Sequence, residues 1–109
     1  MSIDWNVVGA DAVEAMKGVF ADKWGVVSSL AVLHARQIVE LGKYLEANKD
    51  NLDPEVYEHL VQEKAQFIKA NLGGLAGISS VVARQAANAA LNVLIKALST
   101  AAGLPALVL

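Results

Sequence analysis

The sequence predicts an all-α protein folded as a compact four-helix bundle-like domain with an Ala-rich, mostly buried C-terminal helix. Apolar residues recur at three- and four-residue spacing, no alternating strand pattern persists, and no Asn-Gly or Asp-Gly hairpin turn occurs. Proline occurs only at Pro54 and Pro105, so long stretches are free to be helical. The 109 residues are enough for one domain. We expect a single unit, 1–109, with helices at about 3–23, 26–48, 54–71 and 75–102.

The first predicted helix has one apolar face at helical spacing, made of Val13, Met16, Phe20, Trp24 and Val27. Two starts are compatible with the pattern. The helix begins near Ser2, or it begins at Asp11, which with Glu14 three residues later has the form of a capping box. Gly25 is the expected stop.

The second predicted helix carries a stripe of apolar residues: Val27, Leu30, Ala31, Ile38, Leu41 and Leu45. His34 lies in the middle of this stripe. A buried imidazole costs free energy unless it is hydrogen-bonded, and a shift in its pKa would make the core sensitive to pH. The alternative is an ordinary hydrogen-bonded histidine at a helix interface.

The third predicted helix has a strong start signal, with Asp53 as N-cap, Pro54 at the first helical position and Glu55 near the positive end of the dipole. Gly73 and Gly74 form the expected stop. The residues expected to be buried are Val56, Tyr57, Leu60, Val61, Phe67, Ile68 and Leu72.

The fourth predicted helix is apolar over most of its circumference and starts near Leu75 or at a cap formed by Ser79 or Ser80. Its narrow polar stripe consists of Gln85, Asn88, Asn92, Lys96 and Ser99. The remaining surface needs about as much cover as three short helices supply, and the tail "LPALVL" needs cover as well. We therefore expect a homo-oligomer. The residues predicted to mediate self-association are Ala83, Ala87, Ala90, Leu91, Leu94 and Leu98.

The charges are unevenly distributed along the chain. Residues 1–63 carry all 11 acidic side chains and five basic ones, whereas residues 64–109 carry four basic side chains and no acidic one. The two halves attract each other, within one chain or between neighbouring copies. Four scattered cations without neighbouring aromatic residues do not form a nucleic-acid-binding stripe.

The C-terminal region is also the one part of the sequence whose composition suggests association with a membrane. Arg84 and Lys96 are separated by only 11 residues, with Asn88 and Asn92 between them, which disfavours a simple membrane-spanning helix. A helix lying in the lipid interface remains an alternative. The acidic start of the chain does not resemble a targeting peptide, so we expect synthesis in the cytoplasm with no signal peptide.

The sequence contains no enzyme motif and no cysteine. Glu55, His59 and Glu63 are spaced four residues apart, so they lie on one face of the helix. Such a row can bind an adventitious metal ion, but it is more often a solvated helix face. Lys64 lies among apolar positions. It is either a catalytic lysine, or its aliphatic stem packs along the core while its ammonium reaches water or a carboxylate. We expect no catalytic residue, metal or cofactor.

The resulting hypothesis is a non-enzymatic structural protein that associates with itself and with neighbouring proteins of a larger particle, such as a virion. The alternative is a membrane-active helical protein that inserts its C-terminal region into a bilayer.

Overall fold

The computed structural model describes residues 2–109, which contain α-helices and no strand. The helices are α1 (Trp5–Phe20), α2 (Trp24–Ala47), α3 (Pro54–Gly73) and α4 (Ser80–Ala101). Short 3-10 turns occupy Ala21–Lys23 and Lys49–Asn51. The predicted all-α class is confirmed.

Helix α1 begins at a local cap close to the start of the chain. An Oδ1 atom of Asp4 accepts hydrogen bonds from the backbone N–H groups of Asn6 and Val7 at 3.1 and 3.3 Å. Asp11 and Glu14 lie inside the helix as exposed residues. The capping-box interpretation of these two residues is therefore wrong, because Asp4 already satisfies the free N–H groups of the first turn.

The chain reverses direction between α1 and α2 at Ala21. Residues 5–47 form a helical hairpin, in which the 3-10 turn Ala21–Lys23 joins α1 to α2. Ala21 has φ 51 and ψ −116, and its N–H donates to the carbonyl oxygen of Lys17. Gly25, the expected stop, lies within α2. That prediction is wrong because the turn is made earlier, by an alanine in a conformation that residues with a Cβ rarely adopt.

Helices α1 and α2 pack antiparallel, with the start of α1 beside the end of α2. The indole Nε1 of Trp5 lies 3.4 Å from Oε1 of Glu46 and donates a hydrogen bond to it. A Cβ added at Gly42 would clash with the Trp5 ring and lie 2.6 Å from Cδ1 of Leu94. Glycine is therefore needed at this position so that α1 and α4 can both approach the backbone of α2.

Helix α3 starts as predicted, with Oδ1 of Asp53 accepting a hydrogen bond from the N–H of Glu55 at 2.8 Å. Two of its expected core residues are misassigned, since Val56 and Phe67 are 48% and 47% exposed. They lie off the narrow face that is buried, which consists of Tyr57, Val61, Ala65, Ile68 and Leu72. The predicted apolar face does not include Ala65. The face that contains Ala65 lies further around the helix axis, away from Val56 and Phe67.

Helix α4 begins at Ser80, where Oγ of the N-cap Ser79 accepts a hydrogen bond from the N–H of Val82 at 3.2 Å. The start at 75 is wrong, and the alternative cap at Ser79 is correct. Gly77, in the preceding loop, has φ +81. The helix stops before Gly103, as expected.

Helix α4 contacts each of the other three helices. Its most extensive interface is with α1, and the next is with α3. The α2–α3 contact is small. The first and last helices in the sequence are therefore direct neighbours, which places the candidate site between them.

Candidate functional site

The six residues predicted to mediate self-association lie in the core of a single chain. Each has at most 1% of its surface exposed, and all belong to one apolar cluster with residues of the other helices: Ala83, Ala87, Ala90, Leu91, Leu94 and Leu98. In the closed chain, these side chains therefore contact helices of their own copy. Their role between copies stays a prediction, and it needs either a different face of α4 or a rearrangement of the chain.

The apolar tail after α4 is also partly covered by its own chain. Gly103 has φ +72, and the N–H of Leu104 donates to the carbonyl oxygen of Leu98 at 3.2 Å, which ends the helix and turns the chain. Leu104, Leu107 and Leu109 are then half-buried against the core. The sequence predicts that this tail needs a partner for cover. The turn at Gly103 instead lets its leucines pack against the core of their own chain.

The part of α4 that its own chain leaves open borders a groove shared with α1. The groove has a volume of about 680 Å³, and its α4 side includes Val93, Ala97 and Ala101, all partly exposed. On the α1 side, Val7 is 51% exposed. The groove therefore has an apolar floor that water still reaches.

The walls of this groove carry opposite charges. Asp11 and Glu14 line it from α1, and Lys96 lines it from α4. All three are exposed, and within the described chain none of them takes part in an ion pair. The groove thus offers acids and a base to a second surface with the complementary arrangement.

His34 is a buried polar residue between α2 and α3. It is 1% exposed, and its Nδ1 lies 3.2 Å from Oε1 of Gln37. Its Nε2 has no hydrogen-bond partner among the described residues. Burial lowers the pKa of His34; the hydrogen bond to Gln37 opposes this shift and the charge of Lys64 adds to it. The imidazole is therefore held in its neutral form, packed edge-on against the Phe67 ring at 5.7 Å between centroids.

The other candidate residues are at the surface of α3. The Nζ atom of Lys64 lies 5.4 Å from the centroid of the Phe67 ring, so the ammonium is placed over an aromatic face at the edge of the core. The expectation that none of the four C-terminal cations has an aromatic neighbour is therefore wrong for Lys64. Nε2 of His59 lies 3.2 Å from Oε2 of Glu63, and both side chains are exposed. Over residues 2–109, no three side chains of the metal-binding types are gathered in a way that could hold an ion, so Glu55 does not join this pair as a ligand.

Comparisons with known proteins found no relationship: no family model, curated protein or solved structure matches the chain. Among residues 2–109, no helix combines the length and the apolar character needed to cross a bilayer.

The sequence pattern predicts that Lys96 lies on the polar stripe of α4, but it does not predict that Lys96 lines the same groove as Asp11 and Glu14. The groove depends on which faces of α1 and α4 meet, and their contact joins the two ends of the sequence. The charge asymmetry between the two halves was the signal in the sequence, since it anticipates acids opposite bases.

Proposed function

We propose that this protein is a non-enzymatic structural protein that self-associates through its C-terminal helix and contributes to a larger particle such as a virion. Its working unit is a four-helix bundle-like domain in which the Ala-rich α4 is the most covered helix. The observation that carries this proposal is the groove between α1 and α4, an open apolar surface with unlike charges on its two walls.

A second copy of the same chain has the surface that this groove needs. In a two-fold dimer the same patch lies on both copies, so Asp11 and Glu14 of one copy face Lys96 of the other, and the reverse. The open apolar residues Val7 and Ala97 then meet each other across the axis. Burying such surface contributes roughly 25 cal/mol per Å², and the charge pairs set the register.

Paired charge reversals test this arrangement directly. The variant Lys96→Glu places three acids against each other in a two-fold dimer, and the variant Asp11→Lys/Glu14→Lys places three cations together. We expect each variant alone to be monomeric in sedimentation equilibrium at concentrations where the wild type is dimeric. An equimolar mixture restores both sets of attractions, so it should form a heterodimer that weakens as salt increases.

Two substitutions of equal exposure provide the matched control. Val7 and Val81 are both 51% exposed and both lie in the first turn of a helix, but only Val7 borders the groove. Val7→Glu should abolish the dimer, and Val81→Glu should leave it unchanged. A wild type that stays monomeric at high micromolar concentration, or a mixture of the reversed variants that fails to associate, would refute the proposal.

The membrane-active alternative gives a different result in flotation with anionic liposomes. The proposed structural role predicts no binding at low or high salt, because the tail leucines are packed against the chain. Strong binding by the full chain that is lost in a variant ending at Gly103 would replace the structural role with the membrane one.

A further inference from the structure

The turn between α1 and α2 is held by one strained residue. Within residues 2–109, Ala21 is the one non-glycine residue with positive φ, at 51°. Phe20, which precedes it, and Lys23, two residues after it, both have right-handed helical conformations. An alanine in this region of backbone space is unfavourable unless the surrounding packing enforces it.

Nothing else in the local sequence requires the chain to turn here. Residues 20–24 contain no proline or glycine, and residues 5–47 are helical up to and beyond the turn. If Ala21 adopted helical angles, α1 and α2 would become one helix of 43 residues. At 1.5 Å per residue that helix would be about 65 Å long, well beyond the 42 Å longest extent of the closed chain.

An isolated chain does not open this hairpin, because opening would expose buried apolar surface to water. Val8, Ala12, Met16 and Phe20 of α1 are buried, and so is the face of α4 against which α1 packs. Both faces would be exposed to water if one chain straightened alone. A second straightened chain provides the missing cover, since its α1 is identical.

We propose that two copies of this protein exchange their α1 helices by straightening at Ala21. In the exchanged dimer, α1 of each copy occupies the place of α1 on the other, so the buried contacts of the closed chain are kept and two strained residues are relaxed. Short hinges under strain favour such exchange. The face of α4 that packs against α1 then contacts a second copy. The inference rests on the proposed self-association and names the segment that passes between copies.

An engineered disulfide between α1 and α2 distinguishes exchange from simple docking. The chain has no cysteine, and a Cβ at Gly9 would lie 3.3 Å from Cγ2 of Val39, so Gly9→Cys/Val39→Cys places two thiols in bonding range. The variant is refolded at high and low concentration and oxidised. Its native mass is measured by light scattering, and its covalent mass is measured on a denaturing, non-reducing gel.

Exchange predicts a covalent dimer whose yield rises with protein concentration, because each disulfide then joins two chains. A native dimer that runs as a monomer on the gel overturns the exchange and leaves the groove-based association intact. A native monomer at every concentration overturns both proposals. The same gel with the single Gly9→Cys variant controls for disulfides formed between surfaces.

The hinge itself gives a second measurement that does not depend on disulfide formation. Ala21→Gly removes the strain of the closed chain, so exchange predicts a dissociation constant about 100-fold higher, roughly tenfold for each of the two hinges. Ala70→Gly, at an exposed position within α3, weakens a helix without changing a hinge and should leave the dissociation constant unchanged. An equal dissociation constant for wild type and Ala21→Gly would overturn the exchange.

Discussion

The contact between α1, α2 and α4 at Gly42 leads to a quantitative prediction for Gly42→Ala. The added Cβ meets the Trp5 ring and lies 2.6 Å from Cδ1 of Leu94, a residue with no exposed surface. Forcing a carbon into such a site costs about 1 to 3 kcal/mol. Replacing glycine by alanine within a helix also contributes up to about 1 kcal/mol of stability. We expect Gly42→Ala to lower the free energy of unfolding by up to about 2 kcal/mol as the net result.

Gly25 provides the control for the helix-forming contribution. It lies in the same helix, and a Cβ added there would have no neighbour within 4 Å. Gly25→Ala should therefore raise the free energy of unfolding by up to about 1 kcal/mol. Because Gly25 lies in the first turn of α2, alanine stabilises the helix there no more than at Gly42. The difference between the two variants is therefore a lower limit on the steric cost of about 1 to 3 kcal/mol.

Urea denaturation followed by far-ultraviolet circular dichroism measures both free energies, and Trp5→Phe completes the test. The smaller ring should leave more room, so Gly42→Ala should cost less in the Trp5→Phe background than in the wild type. Equal free energies of unfolding for Gly25→Ala and Gly42→Ala would refute the close packing of α1 and α4 on α2.

Two further predictions concern the core. Because burial lowers the pKa of His34, the unfolded chain takes up a proton there as the pH falls below the ordinary value of 6.5, and the folded chain does so only at lower pH. The free energy of unfolding should therefore decrease as the pH falls through this range, and His34→Leu should reduce this dependence; equal pH slopes would contradict the buried neutral imidazole. Ala87→Leu and Ala90→Leu, at positions no more than 1% exposed, should each lower the free energy of unfolding by about 1 to 3 kcal/mol in thermal or urea denaturation, whereas Ala70→Leu on the exposed side of α3 should not.

Local signals predicted the helix ends that depend on local chemistry. Asp53 and Pro54 start α3 and Gly103 follows α4 because capping and left-handed conformations are properties of a few neighbouring residues. The turn at Ala21 could not be predicted in this way. The residue there has no preference for a positive φ, so the packing of α1 against α2 and α4 has to impose it.

In the candidate site, too, local features can be predicted from the sequence, whereas features that depend on tertiary packing cannot. The apolar character of Leu91 and Leu94 is evident from the sequence, but whether their cover comes from the same chain or from another copy is decided by the path of the whole chain. Phe67 illustrates the limit within one helix: it is hydrophobic and helical, yet half its surface is exposed, since α3 buries a narrow face built around Ala65.

The pairing of the first helix with the last has a consequence for how the protein folds as it is synthesised. The α1–α2 pair is local in sequence and can form early, but the largest interface, between α1 and α4, must wait until α4 has left the ribosome. Closing a long loop carries an entropic cost before that contact is gained. Until then, the buried face of α1, including Met16, has only α2 to cover it. Neighbouring chains that are being synthesised on the same mRNA therefore expose this apolar face of α1 to one another until α4 emerges.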